Sequence, residues 1–291
     1  MITLGHRGAI SRVAIVGVGL IGGSLGLALK KAYPRLRISG FDRPGVLKKA
    51  KARKAIDSGH TKLENAVADA DLVILALPVD RIIDFIPRIS RLISDDVIVT
   101  DVGSVKKDIV RMGRRHFPRG NFVGGHPVAG SEQAGVQASS ADLFRNRPYV
   151  LTPYSRRQKP IVSNLSNFLA PLGARVSILT PEKHDQILAA LSHLPQLSSI
   201  ALMNAVGKKN SRSREHLDLS GPGLLDTTRM AESSFEIWKG ILHQNRRNVV
   251  KALDIYLEEL RKYRSAMDKS GNNLGKEFES ARRLRSNLRK R

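Results

Sequence analysis

The 291-residue chain contains no cysteine, few aromatic residues and no long apolar run. Without cysteine it has no disulfide framework, no thiolate nucleophile and no cysteine-based zinc site, so its chemistry must come from other side chains or from a bound cofactor. A membrane span requires roughly 18 consecutive apolar residues, and glycines interrupt even the most apolar segment, residues 13–29. The N-terminus shows no charged leader followed by an apolar block. We therefore expect a cytoplasmic protein with no membrane partner.

Acidic residues are also scarce, since 49 basic and 26 acidic residues give a formal net charge of +23. The excess is concentrated at the ends: residues 1–60 hold 12 basic and 2 acidic residues, and residues 261–291 hold 11 and 3. A nucleic-acid binder concentrates cations on one recognition element and adds aromatic stacking partners, but aromatic residues make up only 5% here. We expect no specific nucleic-acid partner, although the positive field favours weak adhesion to polyanions.

Short apolar segments alternate with helical patterns over the first 180 residues, which is typical of a parallel sheet with crossover helices. Strands are predicted over residues 12–18, 37–41, 71–77, 96–100, 148–152 and 175–179. Helices are predicted between them over residues 22–32, 80–92 and 161–172. The sequence therefore predicts an α/β fold for this part of the chain.

The pattern changes after Pro181, where two long helical patterns, over residues 182–206 and 235–267, flank a Gly/Pro-rich stretch. We place a domain boundary near residue 180. The prediction is an α/β domain over residues 1–180, a helical domain over 181–269 and a basic tail over 270–291. The tail lacks a sustained apolar stripe, so we expect a frayed helix or a disordered segment there rather than a domain.

A glycine-rich loop gives the strongest local signal, because Gly17-Val-Gly19-Leu-Ile-Gly22 follows a predicted strand and opens a predicted helix. In a dinucleotide site Gly17 permits the tight turn, Gly19 lets the backbone approach the pyrophosphate, and Gly22 lets helix and strand pack closely. The N-terminus of the helix attracts phosphate, so we place Leu20 and Ile21 in the same cofactor site.

Asp42 stands twenty residues after Gly22, at the end of the second predicted strand. Its carboxylate would accept hydrogen bonds from the adenosine ribose, whereas a phosphate there would meet a like charge at ~4 Å, at a cost of up to about 4 kcal/mol. This favours NAD as the cofactor. Arg43 could neutralise a phosphate, which leaves NADP open. Pro78 and Asp101, after the next two strands along the chain, complete the predicted cofactor site.

Four further segments narrow the class of dehydrogenase. They are Asp101-Val-Gly-Ser104-Val-Lys106, Gly124-Gly-His126-Pro-Val-Ala-Gly130, Ser192-His193-Leu194-Pro195, and Asp226-Thr-Thr-Arg229 with Trp238 nine residues after the arginine. Over about residues 10–265 the chain resembles the prephenate dehydrogenase family, which includes arogenate dehydrogenases. The resemblance implies an N-terminal Rossmann-like dinucleotide-binding domain and an all-α dimerisation domain that forms a homodimer. It also implies NAD(P)-dependent oxidative decarboxylation of prephenate to 4-hydroxyphenylpyruvate in tyrosine biosynthesis.

The resemblance also implies roles for individual residues. His126 corresponds to the catalytic histidine that binds the ring hydroxyl, Ser104 to a serine near that hydroxyl and the nicotinamide, and Arg229 to the arginine that binds a substrate carboxylate. The predicted substrate site also includes His193, Gln196, Ser131 and Glu132. Some family members carry a second histidine where this chain has Gln196, whose amide cannot carry a positive charge. Prephenate and arogenate therefore both stay open as substrates.

These roles agree with the chemistry, because oxidation of a ring carbinol requires its hydroxyl proton to be drawn off, which suits a neutral imidazole. Turnover is then expected to rise with pH through ~6.5, the unperturbed histidine pKa.

Each of these candidate site residues also has a structural interpretation. His126 is expected in a Gly/Pro-rich loop after a sheet segment, and Ser104 could cap the helix that follows it. Glu132 could be a solvated loop acid, Arg229 a cation on a helix face, and His193 a satisfied buried histidine.

Two rival functions differ in what they require of the sequence. A β-hydroxyacid dehydrogenase also places glycine and serine after a central strand, but we find no lysine–asparagine pair of the kind those enzymes carry in the apolar helices. A nicotinamide-sensing regulator with a basic surface would not need His126, Ser104 and Arg229 together. No set of histidine and acidic residues has convincing metal-ligand spacing, so no metal is predicted.

Overall fold

A computed structural model describes residues 10–130, 133–208, 218–268 and 274–289. In this part of the chain eight strands form one sheet in the order β3-β2-β1-β4-β5-β6-β7-β8. The strands are β1 Arg12–Val16, β2 Arg37–Phe41, β3 Ser58–His60, β4 Leu72–Leu75, β5 Ile98–Asp101, β6 Phe122–Pro127, β7 Pro148–Thr152 and β8 Arg175–Ile178. All neighbours are parallel except β6 and β7, which are antiparallel. The order of the first six strands is that of the Rossmann fold.

Helices follow the strands and cover both faces of the sheet. They are α1 Leu20–Ala32, α2 Pro44–Ala52, α3 Leu63–Val67, α4 Val79–Ile89, α5 Lys107–His116 and α6 Lys159–Leu169. Alternate residues of β1 enter two different apolar clusters: Val13 and Ile15 belong to one, Ala14 and Val16 to the other. A strand buried on both faces is a near-continuous apolar run, which is why the central strands could be predicted from sequence.

Strand β6 corrects one expectation from the sequence, since it places His126 inside a strand rather than in a loop. A Cβ at Gly125 would lie 2.5 Å from the carbonyl oxygen of Asp101, and a Cβ at Gly124 would collide with the hydroxyl of Thr152. The two glycines therefore allow close packing of β6 against its neighbours. The short strand β3 was not predicted either.

The region after Pro181 is helical. It contains α7 Pro181–Leu188, a π-helical segment Ala189–His193, α8 Leu194–Lys208, α9 Pro222–Thr228, a 3-10 turn Arg229–Glu232, α10 Phe235–Gln244, α11 Arg246–Asp268 and α12 Leu274–Arg289. The chain divides into two compact units, Met1–Asn245 and Arg246–Arg291, and the second contains α11 and α12. The tail predicted over residues 270–291 is thus largely a helix. None of the described helices has the length and apolar character needed to cross a membrane.

Candidate active site

The glycine loop joins β1 to α1 at the carboxyl edge of the sheet. Gly17 has a φ of +95°, a conformation that favours glycine, and a Cβ at Gly22 would collide with the carbonyl oxygen of Gly17. A Cβ at Gly19 would meet nothing within 4 Å. Leu20 and Ile21, both half-buried, form the first turn of α1, which contains no acidic residue. The loop therefore presents open space and a helix N-terminus, as a diphosphate requires.

Asp42 fastens this loop to the end of β2. Its Oδ2 accepts a hydrogen bond from the Val18 N–H at 2.8 Å, and its Oδ1 accepts one from the Arg43 N–H at 2.7 Å. The carboxylate is half-buried and lies where a Rossmann site places the ribose acceptor. Pro78 is exposed after β4 and immediately precedes α4. These residues fit a bound dinucleotide at this edge.

Asp101 is fully buried at the end of β5 and forms an ion pair with the equally buried Lys106. Its carboxylate also accepts hydrogen bonds from the backbone N–H groups of Gly103, at 2.7 Å, and Gly125, at 3.1 Å. Lys106 Nζ donates to the Gly125 carbonyl at 2.8 Å. Burial lowers the pKa of Lys106, and the charge of Asp101 opposes that shift. The Asp101 side chain thus joins β5 to β6. Because its carboxylate is already paired, only backbone groups at this strand end would be left to contact a cofactor.

His126 lies near the end of β6, with 7% of its surface exposed. Its Nδ1 is 2.8 Å from Nε2 of His184, whose own Nδ1 is 2.7 Å from the Asp185 carboxylate. Burial lowers the pKa of His126 well below its ordinary value of 6.5, and neighbouring basic groups act in the same direction. Burial also lowers the pKa of His184, although the hydrogen bond that this imidazole donates to Asp185 acts in the opposite direction. Both imidazoles are therefore neutral at pH 7.

Asp185 caps helix α5 from a distant part of the chain. Its two carboxylate oxygens accept hydrogen bonds from the backbone N–H groups of Lys106, at 2.7 Å, and Lys107, at 2.9 Å. Ser104, the alternative cap considered from the sequence, does not cap the helix, because the Asp185 carboxylate binds these N–H groups instead. Ser104 is half-buried in the turn between β5 and α5, at the same sheet edge as the glycine loop.

His193 is buried in the π-helical segment, with 1% of its surface exposed. Its Nδ1 is 3.2 Å from the side-chain nitrogen of Asn245, and its ring packs edge-on against Trp238, with centroids 5.9 Å apart. Its Nε2 has no hydrogen-bond partner in the described part of the chain. Burial lowers the pKa of His193 to about 4. Asn245 also donates to the Asp185 carbonyl at 2.8 Å. Asn245 therefore contacts both His193 and the residue that follows His184.

Gln196 is also buried, with 1% of its surface exposed. Its amide nitrogen donates to the Met230 carbonyl at 2.8 Å, and its amide oxygen is buried without a hydrogen-bond partner among the described residues. Met230 follows Arg229 in a 3-10 turn. Gln196 therefore stabilises the turn that contains Arg229, the arginine predicted to bind substrate.

Arg229 is exposed and lines a cavity of about 480 Å³. The other lining residues are Val128, Ala129, Gly130, Ser140, Asp142, Leu143, Arg145 and Arg147. Val128, two residues after His126 in the sequence, lines this cavity, whereas His126 does not. Gly130 leads directly into Ser131 and Glu132, which lie outside the described residues.

Sequence reasoning missed His184, Asp185 and Asn245. His184 contacts a residue 58 positions away, and Asp185 caps a helix 78 and 79 positions away. Local spacing cannot reveal such partners. The one sequence signal was the adjacent His-Asp pair on the first helix after the sheet. No group of three or more histidine and acidic residues in the described regions could hold a metal ion.

The Rossmann strand order, the open glycine loop and a neutral histidine at the same sheet edge define a dinucleotide-dependent dehydrogenase. The chain belongs to the prephenate dehydrogenase family. The model of the family's nucleotide-binding domain matches residues 25–187, and the model of its dimerization domain matches residues 180–280. These matches confirm the family and the fold class inferred from the sequence.

Individual relatives extend over nearly the whole chain. The prephenate dehydrogenase of Bacillus subtilis is 32% identical over 280 residues, which cover 95% of this chain and 76% of the relative. A crystal structure of Aquifex aeolicus prephenate dehydrogenase, with hydroxyphenyl propionate and NAD+, has a TM-score of 0.90 and 29% identity over 96% of this chain and 99% of the other. A crystal structure of Synechocystis arogenate dehydrogenase has a TM-score of 0.81 and 29% identity over 95% of this chain and 99% of the other.

Proposed function

We propose that the protein is an NAD-dependent prephenate dehydrogenase, which converts prephenate to 4-hydroxyphenylpyruvate by oxidative decarboxylation in tyrosine biosynthesis. The observation that carries the proposal is the setting of His126. In a chain of this family, a buried neutral imidazole lies at the sheet edge that carries the glycine loop. The bound nicotinamide would supply the hydride acceptor.

His126 accepts the proton of the ring hydroxyl as the carbinol becomes a ketone. Only the neutral imidazole can do this, and burial keeps it neutral at pH 7. Loss of the carboxylate on the opposite ring carbon as carbon dioxide then aromatises the ring, and the former carbonyl oxygen takes up a proton to become the phenol hydroxyl. Aromatisation is a driving force that the protein need not supply. Ser104 is proposed to lie near the same hydroxyl and the nicotinamide.

Arg229 is proposed to bind a substrate carboxylate, because its planar guanidinium can form two parallel charge-assisted hydrogen bonds. Its cavity also contains Arg145 and Arg147, which makes that part of the surface favourable to a dianion. Gln196 supports this arrangement through the Met230 carbonyl. Direct substrate contacts by His193, Gln196, Ser131 and Glu132 remain proposals.

Arogenate is a second candidate substrate. Gln196 provides a neutral amide where some family members carry a histidine, and the arogenate dehydrogenase of Synechocystis shares the fold over 95% of this chain. The test follows nicotinamide reduction with prephenate and with arogenate, each with NAD and with NADP. We expect the highest kcat/KM with prephenate and NAD. A higher value with arogenate would reassign the substrate, and no reduction in any combination would contradict the proposed function.

We further propose that the protein is a cytoplasmic homodimer joined through its helical region, with residues 1–180 and 181–269 as its two domains and 270–291 as a tail. The name of the second family model supports dimer formation. Large apolar side chains are exposed in that region, among them Leu191, Leu225 and Phe235. Light scattering coupled to size exclusion should give twice the chain mass of 32.0 kDa, and a monomer would contradict the proposal.

A further inference from the structure

We infer that His184 is a positioning residue that, anchored by Asp185, fixes the tautomer of His126 so that its Nε2 is the proton acceptor. The inference rests on the proposed role of His126. It concerns two residues, His184 and Asp185, that neither the sequence motifs nor the family resemblance singled out.

The carboxylate of Asp185 is held by two backbone N–H groups at the N-terminus of α5. An ionised carboxylate can only accept hydrogen bonds, and here each of its two oxygens accepts one from a backbone N–H group. His184 Nδ1 lies 2.7 Å from this carboxylate. His184 Nδ1 must therefore carry the proton and donate it.

A neutral imidazole carries one proton, so a proton on Nδ1 leaves Nε2 of His184 as an acceptor. That Nε2 faces Nδ1 of His126 at 2.8 Å, and both rings are buried. His126 Nδ1 must then be the donor, and by the same rule His126 Nε2 is left with its lone pair. Each protonation state follows from the one before it, beginning at a carboxylate that cannot donate.

The consequence for catalysis is that His126 presents a lone pair rather than an N–H at Nε2. Without His184, nothing in this chain of bonds would prevent the proton of His126 from moving to Nε2, where the ring could no longer accept a proton from the substrate. When His126 does accept that proton, its new positive charge faces the Asp185 carboxylate through His184. A fixed tautomer and this attraction are the two contributions expected of a positioning pair.

The test compares three variants of the full-length protein. His184→Met fills the site with a thioether, which accepts hydrogen bonds only weakly. His184→Gln restores an amide oxygen that can accept from His126 Nδ1. His60→Gln is the matched control, since His60 lies in β3 and contacts the Ser58 hydroxyl at 3.2 Å. Thermal unfolding of each variant reports whether it is folded.

We expect His184→Met to lower kcat by about 10²-fold or more, with KM and the Kd for NAD changed by less than about 3-fold. His184→Gln should recover at least about tenfold of that loss, and His60→Gln should stay within about 2-fold of the parent protein. Unchanged kcat in His184→Met, or loss of NAD affinity equal to the loss of kcat in a folded variant, would overturn the inference.

A second measurement needs no turnover and no substitution at His184. Nitrogen NMR of protein labelled with ¹⁵N-histidine, with the His126 signals identified by their loss in His126→Asn, reports which ring nitrogen carries the proton. We expect Nδ1 of His126 to be protonated and Nε2 to be bare near neutral pH. A proton on Nε2 would overturn the inference, even if the enzyme proved active. Failure of the proposed reaction, by contrast, would leave this spectrum unchanged.

Discussion

Neutral imidazole is the form of His126 that can accept a proton, and the interior of strand β6 favours this form. The sequence supplied the identity of the residue but only an unperturbed pKa near ~6.5. The structure adds burial and nearby basic groups, which lower the pKa of His126 well below that value. The same burial accounts for the neutral state of His184 and His193.

The pH dependence of activity tests this environment. A protonated His126 could not accept the substrate proton in the proposed mechanism. The protonated fraction grows only as pH falls through the folded-state pKa of His126, which burial holds below 6.5. We therefore predict that kcat/KM stays level as pH is lowered from about 8 to about 6.5 and declines only at lower pH. Initial rates at constant ionic strength measure this. A half-maximal value at or above pH 6.5 would mean that burial does not perturb His126 as described.

Arg229 provides a second test at the residue scale. In the proposed mechanism, replacing it with alanine removes the bidentate partner of the substrate carboxylate, and each charge-assisted hydrogen bond contributes ~1.5–3 kcal/mol. We predict that Arg229→Ala raises KM for substrate by about tenfold or more and changes KM for NAD little. Arg157→Ala serves as the control, because Arg157 lines a different cavity that Arg229 does not line. Equal increases in both KM values would assign Arg229 a structural role.

Helix α5 illustrates how an element depends on a remote residue. Its N-terminal N–H groups bind the Asp185 carboxylate rather than a side chain of the preceding turn. We predict that Asp185→Ala lowers the free energy of unfolding by about 1–2 kcal/mol or more, the usual cost of a lost cap. Ser104→Ala, the matched control, should change it by less than about 0.5 kcal/mol. Denaturant unfolding measures both, and a larger loss in Ser104→Ala would restore the serine as the cap.

The start of α1 gives a further prediction at the element scale. A Cβ at Gly19 meets open space, whereas one at Gly26, in the same helix, would collide with the Ala55 carbonyl. Gly19→Val should therefore leave thermal stability close to that of the parent protein while weakening NAD binding, because the added side chain enters the space proposed for the pyrophosphate. Gly26→Ala should lower stability. Calorimetric titration with NAD decides the matter, and undiminished affinity in Gly19→Val would place the cofactor elsewhere.

At the scale of the whole molecule, the sequence predicted the parts that repeat a local pattern. Apolar central strands, the glycine loop and Asp42 were all recognisable because each depends on neighbours along the chain. Strand β6 was not, since its glycines are required by packing against β5 and β7 rather than by a turn. The cap of α5 and the contact between His126 and His184 join β6 and α5 to α7, and no local spacing encodes such contacts.

The central claim is that His126 removes the hydroxyl proton during oxidation of prephenate. The most direct measurement determines reduced nicotinamide and 4-hydroxyphenylpyruvate in the same reaction, with the parent protein and with His126→Asn. We predict equal amounts of the two products from the parent protein. In the variant both rates should fall together by about 10²-fold or more, with NAD affinity retained. Undiminished product formation by folded His126→Asn, or none by the parent protein, would contradict the account.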